Sequence, residues 1–420
     1  MPTTRSTFLD SFTPLKNVNY RTYLMGQGVS LAGTFMQQMA LQWFVWEITQ
    51  DTRWIGIVAA VTSAPTFFLM PFSGAIADRV DRRKLLITTQ IAEMVLALGM
   101  ALLIFMGIKV VWPVLIFALL LGVSASFTFP SQGAFIGDLS GMAEIRKSMM
   151  LYALAIEIGR FVGPALAGFV VAQFNTATAF LLNGLSFGAV IFTLSLVRAE
   201  QMRRPPSGNL LQNFGEAVRY VRQQPRIADL LVCSLSIMLF VFASLQMAAP
   251  IADLVLNGGP QLVGYMLGAS GAGAVVGILV IAPQVQRFER AGAALSVALL
   301  WSGLWLILTS FFTWSPLTLL GIFCFSLNIP VVLASVAALI QMLAPPDMRA
   351  RLLSVSTMLS TGAQPLGALF VGWIGNAFGP LAALRVNGFL MVTIALVLLL
   401  LHREFRTWKV NRAPAPLNPN

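Results

Sequence analysis

Charge is scarce in this 420-residue chain: only 10% of its residues are Asp, Glu, Lys or Arg. Soluble domains carry roughly a quarter charged residues to keep a hydrated surface, so a soluble globular fold is excluded. A single histidine, His402, rules out histidine-based triads and multi-histidine metal sites. The two cysteines, Cys233 and Cys324, have neither metal-ligand spacing nor an outer-loop pairing, and read as small buried hydrophobes. No phosphate-binding P-loop occurs, which removes ATP hydrolysis by that route. The ~10-residue alternating segments of a membrane barrel are missing as well. No catalytic residue, metal or cofactor is therefore expected.

What the chain has is apolar length, with 57% hydrophobic residues. Apolar runs recur that are each long enough to cross a ~30 Å hydrocarbon core as a helix. Twelve spans are predicted, near 21–46, 54–77, 85–107, 110–137, 148–172, 177–197, 227–251, 261–284, 292–312, 316–343, 354–376 and 380–401. The net charge of +11 does not signal a nucleic-acid partner, because its distribution follows the membrane. With the amino terminus in the cytoplasm, all but four of the 27 Lys and Arg fall on inner segments; the exceptions are Arg53, Lys109, Arg160 and Arg385. That asymmetry predicts a multi-pass protein with both termini inside. The first span is expected to insert the chain without a cleaved leader.

Residues 198–226 are basic, polar and punctuated by Pro205, Pro206 and Gly208. Leu210, Leu211, Phe214, Val218 and Val221 recur there at helical spacing, predicting an amphipathic helix on the inner surface. The expected layout is a six-helix bundle over 1–197, this linker, a second six-helix bundle over 227–402, and a tail over 403–420. The halves repeat: Gly56 stands 23 residues before Arg79, and Gly264 stands 23 before Arg287. Such a duplication implies two pseudo-symmetric bundles that rock against one another.

One stretch, Gly74-Ala-Ile-Ala-Asp78-Arg79-Val-Asp81-Arg82-Arg83-Lys84, concentrates charge between spans two and three. Its glycine, Asp-Arg and basic cluster resemble the loop motif of the major facilitator superfamily, with a degenerate copy at 286–290. The resemblance covers the chain and implies an all-α membrane transporter of twelve transmembrane helices in two six-helix bundles. Under it, Gly74, Asp78, Arg79, Arg82 and Arg83 form a gating motif in which Asp78 faces Arg82 and the start of helix eleven. In span five, Gly159, Gly163, Pro164 and Gly168 resemble the helix-five motif of the superfamily's exporters. The opening stretch Leu15–Ser30 and the segment Pro346–Arg351 are similar to the branch of enterobactin exporters and macrolide-efflux proteins. The helix-four arginine of many drug antiporters has no counterpart here.

Three ionisable groups lie deep in the spans. Glu157 and Arg160 share one helical face at a spacing of three, about 14 Å from the inner end at 1.5 Å per residue. Glu93 lies deep in span three without a local cation. Intramembrane charges are costly and mark functional positions; all three are candidates for proton coupling, with a static ion pair as the other reading of Glu157 and Arg160. A polar stripe of Gln27, Ser30, Thr34, Gln38 and Gln42 runs along span one. In the superfamily, helices one, four, seven and ten surround the central cavity, which adds Thr128, Ser131, Gln132, Ser236, Phe240, Asn328 and Ser335 as lining candidates. The resemblance implies a monomeric exporter in a bacterial inner membrane, exchanging an amphipathic, siderophore-like or antibiotic-like molecule for protons. Movement of lysophospholipid between leaflets and a non-transporting receptor are the alternatives.

Overall fold

In the computed structural model, residues 8–197, 210–285 and 290–408 are described, apart from the side chains of some positions within them, Gly74 and Asp78 included. The degenerate loop copy falls almost entirely outside the described residues. Within a bilayer, backbone polar groups must be satisfied along the segment itself, and the chain answers with twelve long helices. These are α1 (Val18–Thr49), α2 (Thr52–Arg79), α3 (Arg82–Phe105), α4 (Val111–Gly141), α5 (Glu144–Gln173) and α6 (Thr176–Leu196) in one bundle. The other bundle holds α7 (Pro225–Leu254), α8 (Pro260–Gln284), α9 (Ala291–Thr309), α10 (Ser315–Leu343), α11 (Pro346–Phe378) and α12 (Pro380–Leu400). Between them runs a helix over Leu210–Gln223, where the linker pattern predicts one. Ten of the twelve are apolar enough to cross a membrane by composition alone. The other two, α1 and α11, are as long but carry the glutamines of α1 and the charged start of α11.

The two bundles start their helices differently. In the first, Asn17, Asp51, Asp81 and Asn175 each accept a backbone N–H from the first turn, so a side chain satisfies a donor that the helix cannot. In the second, proline stands in the first turn of α7, α8, α10, α11 and α12, where its missing N–H costs nothing. Gly141, at φ 70° and ψ 165°, breaks what would be one continuous helix into α4 and α5. That conformation is open essentially to glycine alone.

Despite the different caps, the bundles share an internal bond at the same place. Asn183 of α6 donates to Gln37 of α1 at 2.8 Å. Asn387 of α12 donates to Ser244 of α7 at 2.9 Å and to the carbonyl of Phe240 at 3.1 Å. Each asparagine stands seven residues after the first of its helix, and Gln37 and Ser244 each stand nineteen after theirs. The Phe240 carbonyl belongs to a π-helical turn over Ile237–Phe242. Asn387 therefore supplies a donor where the regular ladder of α7 is disturbed.

The end holding Phe8 and Trp408, the first and last described residues, is called the base here, and the opposite end the crown. The bundles meet along two helix pairs, α2 with α11 and α5 with α8. At the crown these contacts are backbone to backbone. A β-carbon on Gly56 would overlap the carbonyl of Ala368, and one on Gly264 would overlap the carbonyl of Pro164 and lie 2.8 Å from Gly168 Cα. Lipid gives helices no hydrophobic reason to associate, so such close approach of small residues carries the packing. Hydrogen bonds cross the same seam: Gln42 Nε2 to Leu245 O at 2.9 Å, Trp46 Nε1 to Asp253 Oδ2 at 2.9 Å, and Thr52 Oγ1 to Gly372 O at 2.7 Å. Arg53 pairs with Asp51 at 2.6 Å and lies 5.6 Å from the Trp373 ring across the seam. Its hydrogen bonds hold the Asp51 carboxyl below the usual carboxylate range. Toward the base, no comparable packing joins α4 to α10 among the described residues. Among the described residues, then, the bundles are packed together at the crown and are not joined between α4 and α10 toward the base.

Overpacking a tight contact costs about 1–3 kcal/mol. Gly264→Leu imposes that cost on the crown-closed state and should move the population about 5- to 150-fold toward a crown-open one. The check is the labelling rate of Ser63→Cys, in α2 below the seal, by an impermeant maleimide supplied to the crown face of a Cys233→Ala/Cys324→Ala protein. Faster labelling is expected; an unchanged rate would mean that this contact does not hold the crown shut.

Candidate functional site

Beneath the crown seal lies a cavity of about 230 Å³ walled by α1, α2, α5, α7, α8 and α11. Its polar surface comes from four glutamines, Gln38, Gln42, Gln246 and Gln364, and from the hydroxyls of Thr62, Ser63 and Ser270. Among the described lining residues one is charged, Arg160.

The packing of α5 explains why Arg160 points there. Gly159 and Gly163 seat α5 against Leu31, Ala32 and Phe35 of α1, while Gly168 seats it against Gln261 and Gly264 of α8. Pro164 lies inside the helix and removes a backbone donor at this level. Wedged between partners from both bundles, α5 presents Arg160 to the space between them. The guanidinium carbon lies 5.4 Å from the Phe35 ring centre and 5.7 Å from that of Phe242, within range of cation–π attraction. Arg160 Nη1 is 3.5 Å from Glu157 Oε2. The spacing of three thus does bring acid and base together. The pair is loose: Glu157 Oε2 and Arg160 Nε are both enclosed and hydrogen-bonded to nothing.

Glu93 sits elsewhere, inside the first bundle between α3 and α4. It accepts from Ser124 Oγ at 2.9 Å, Thr128 Oγ1 at 3.1 Å and Gln90 Nε2 at 3.4 Å. It has no ion-pair partner among the described residues. Gln90 Oε1 is buried beside it and unbonded.

The other singled-out residues distribute as follows. Gln38 and Gln42 line the cavity, whereas Gln27 bonds Tyr23 on its own helix and Ser30 is buried. Thr34 is half-buried on α1 outside the cavity wall. Thr128 turns to Glu93, Ser131 to its own helix, and Gln132 accepts from Tyr152 of α5 at 2.7 Å. Ser236 bonds Val232, Phe240 is buried in the core, Asn328 reaches Ser302 of α9, and Ser335 is buried on α10. Ser63, Ser270 and Gln364, which the sequence pattern did not single out, also line the wall; each is a polar side chain in a largely apolar span, a weak but readable signal. Trp46 is buried and bonded to Asp253. No group of three His, Cys, Asp or Glu is assembled among the described residues.

At the base, Arg82 is buried and paired with Asp138 of α4 at 2.8 Å, both side chains 2% exposed. Arg83 donates at 2.6 Å to the carbonyls of Leu194 and Ser195, at the end of α6, where a helix offers free acceptors and negative dipole. Arg79 is exposed. The Gly74 and Asp78 side chains lie outside the described residues. Breaking a buried ion pair is strongly destabilising, at about 3–5 kcal/mol. Asp138→Ala should therefore lower the melting temperature in detergent markedly. Equal melting of the wild type and Asp138→Ala would deny the pair a structural role.

Comparison with known proteins agrees with this architecture. The sequence profile of a family described as transmembrane secretion effector matches residues 9–417. The chain is 22% identical over 381 residues to the staphyloferrin A transporter of Staphylococcus aureus, covering 89% of this chain and 94% of that one. It is 23% identical over 406 residues to the enterobactin exporter EntS of Salmonella typhi, covering 93% and 94%. Among solved structures it is similar to a bacterial homologue of the human lysosomal transporter Spinster in an inward-facing, unoccupied conformation. That match has a TM-score of 0.72 at 15% identity, covering 94% of this chain and 99% of that one. With two six-helix bundles meeting over a central cavity, the chain belongs to the transmembrane secretion effector family of the major facilitator superfamily: it is a membrane transporter, not an enzyme.

Proposed function

We propose that this protein is a proton-driven exporter of amphipathic small molecules, siderophore-like or antibiotic-like, that works as a monomer by alternating access in a bacterial inner membrane. The base and both termini then face the cytoplasm, and 198–226 links the two bundles there. The observation that carries this reading is a largely apolar cavity, set with amides and hydroxyls, at the seam of the two bundles and sealed at the crown by backbone contacts. A molecule entering from the cytoplasm meets aliphatic side chains and aromatic rings interspersed with amides and hydroxyls. Rocking the bundles closes the base and opens the crown, releasing it outside.

Two buried acids supply a physical route for protons. Protonating Glu93 would turn an acceptor into a donor and loosen the Ser124 and Thr128 bonds that tie α3 to α4. A half-turn of the Gln90 amide would then present its unbonded Oε1 to the new O–H. Protonating Glu157 would release Arg160 into the cavity. Coupling requires that one of these contacts be stronger in one state than in the other.

The test is uptake into energised inside-out vesicles of a catecholate siderophore, a macrolide, a lipophilic dye and a lysophospholipid, with and without an uncoupler. Uptake of the siderophore or macrolide that collapses with the proton gradient is expected. Glu93→Gln or Glu157→Gln should abolish that driven uptake while exchange of pre-bound substrate persists. Lysolipid movement indifferent to the uncoupler would replace this reading with a lipid carrier. Silence for all four beside a working control would favour a receptor.

A further inference from the structure

We infer that Arg160 and the rings of Phe35 and Phe242 form an anion subsite, which takes one carboxylate or catecholate group carried on a planar, aromatic body and rejects lipophilic cations. The inference deepens the exporter reading and rests on it only for the direction in which such a compound moves.

The charge of the wall comes first. Arg160 is the charged residue among the described lining residues, and the rest of the polar wall is neutral amide and hydroxyl. A guanidinium offers five N–H donors in a fixed fork suited to two oxygens at once. Here those donors are poorly used. The nearest carboxylate oxygen is at 3.5 Å, well beyond the ~2.7–2.9 Å of a charge-assisted bond. Arg160 Nε, although enclosed, bonds nothing, and neither does Glu157 Oε2. A static ion pair would close that distance and spend those donors. The loose pair instead has the form of an internal anion that a stronger bidentate ligand can displace.

Size and shape narrow the ligand. At about 230 Å³ the cavity is smaller than the ~300–1,000 Å³ of sites that enclose a drug-sized molecule. It holds one small planar aromatic body, while the remainder of a larger substrate extends toward the base. Phe35 and Phe242 flank the guanidinium at 5.4 and 5.7 Å, and a planar acid binding the fork would lie beside these faces. Gln38, Gln246 and Gln364 can donate to, or accept from, hydroxyl and carbonyl groups on such a ring. A lipophilic cation would find rings too, but with Arg160 already among them.

The experiment uses the full chain in lipid nanodiscs and three fluorescent probes of one shape: 9-anthracenecarboxylate, 9-anthracenecarboxamide and 9-anthracenylmethylammonium. A charge-assisted bond in place of a neutral one predicts that the carboxylate binds about tenfold more tightly than the amide, and that the ammonium does not bind. Arg160→Gln should erase the difference and Arg160→Lys should keep part of it. Glu157→Gln should tighten carboxylate binding, because the internal competitor is gone; a purely structural pair predicts weakening or no change. This last variant decides the matter if Arg160→Gln is not monodisperse. Equal binding of carboxylate and amide, preference for the ammonium, or no carboxylate binding overturns the subsite. Vesicle uptake of the same probes separates the two readings. Discrimination without flux removes the exporter and leaves the subsite, and flux without discrimination does the reverse.

Discussion

The contact on which the rest depends is backbone against backbone at the crown, where Gly56 meets α11 and Gly168 meets Gly264. Helices in lipid have no apolar surface to hide from their solvent, so close approach through small residues and a few hydrogen bonds must hold the halves together. Such contacts are short-ranged. They are made or broken within an ångström or two, which favours two discrete arrangements over a continuum. The same packing fixes α5 between α1 and α8, and thereby fixes Arg160 at the base-side end of the cavity.

Each half is tied internally by bonds of a different kind. Asn183 with Gln37, Tyr20 with the carbonyl of Ser148, and Arg82 with Asp138 lock the first bundle. Asn387 with Ser244 and Asp229 with His402 at 2.8 Å lock the second. All but the last lie among buried groups that would be costly to leave unpaired. Ion pairs and amide bonds tie each bundle internally, whereas the seam between them rests on small-residue packing and a few hydrogen bonds. That division lets two rigid bodies move about one cavity.

The sequence made the architecture legible because span length and the placement of basic residues are properties of the chain itself. The Glu157–Arg160 pair was legible for the same reason: three residues on one helix share a face whatever surrounds them. Arg82 pairs with Asp138, 56 positions on in the chain, a contact no local pattern announces, while the expected approach of Asp78 to Arg82 lies outside the described residues. The glycines of α5 stood out as a motif, yet nothing in their spacing says that two face α1 and the third faces α8. The polar stripe of α1 divides for a related reason. Gln38 and Gln42 lie level with the cavity, while Gln27 lies nearer the base, where the stripe faces Tyr23 and its own bundle. Ser63, Ser270 and Gln364 join the wall because the tightly packed pairs α2–α11 and α5–α8 bound it, whereas the expectation looked to α4 and α10.

The central claim is that two rigid bundles exchange closure at the crown for closure at the base. Spin-label distance distributions in nanodiscs test it most directly, on a Cys233→Ala/Cys324→Ala background. One pair, Arg21→Cys with Arg403→Cys, spans the base, and another, Lys109→Cys with Thr313→Cys, spans the crown; all four sites are exposed. Across changes of pH and ligand, the base distance should shorten whenever the crown distance lengthens. Distances that stay fixed, or that change in the same direction at both ends, would contradict the account.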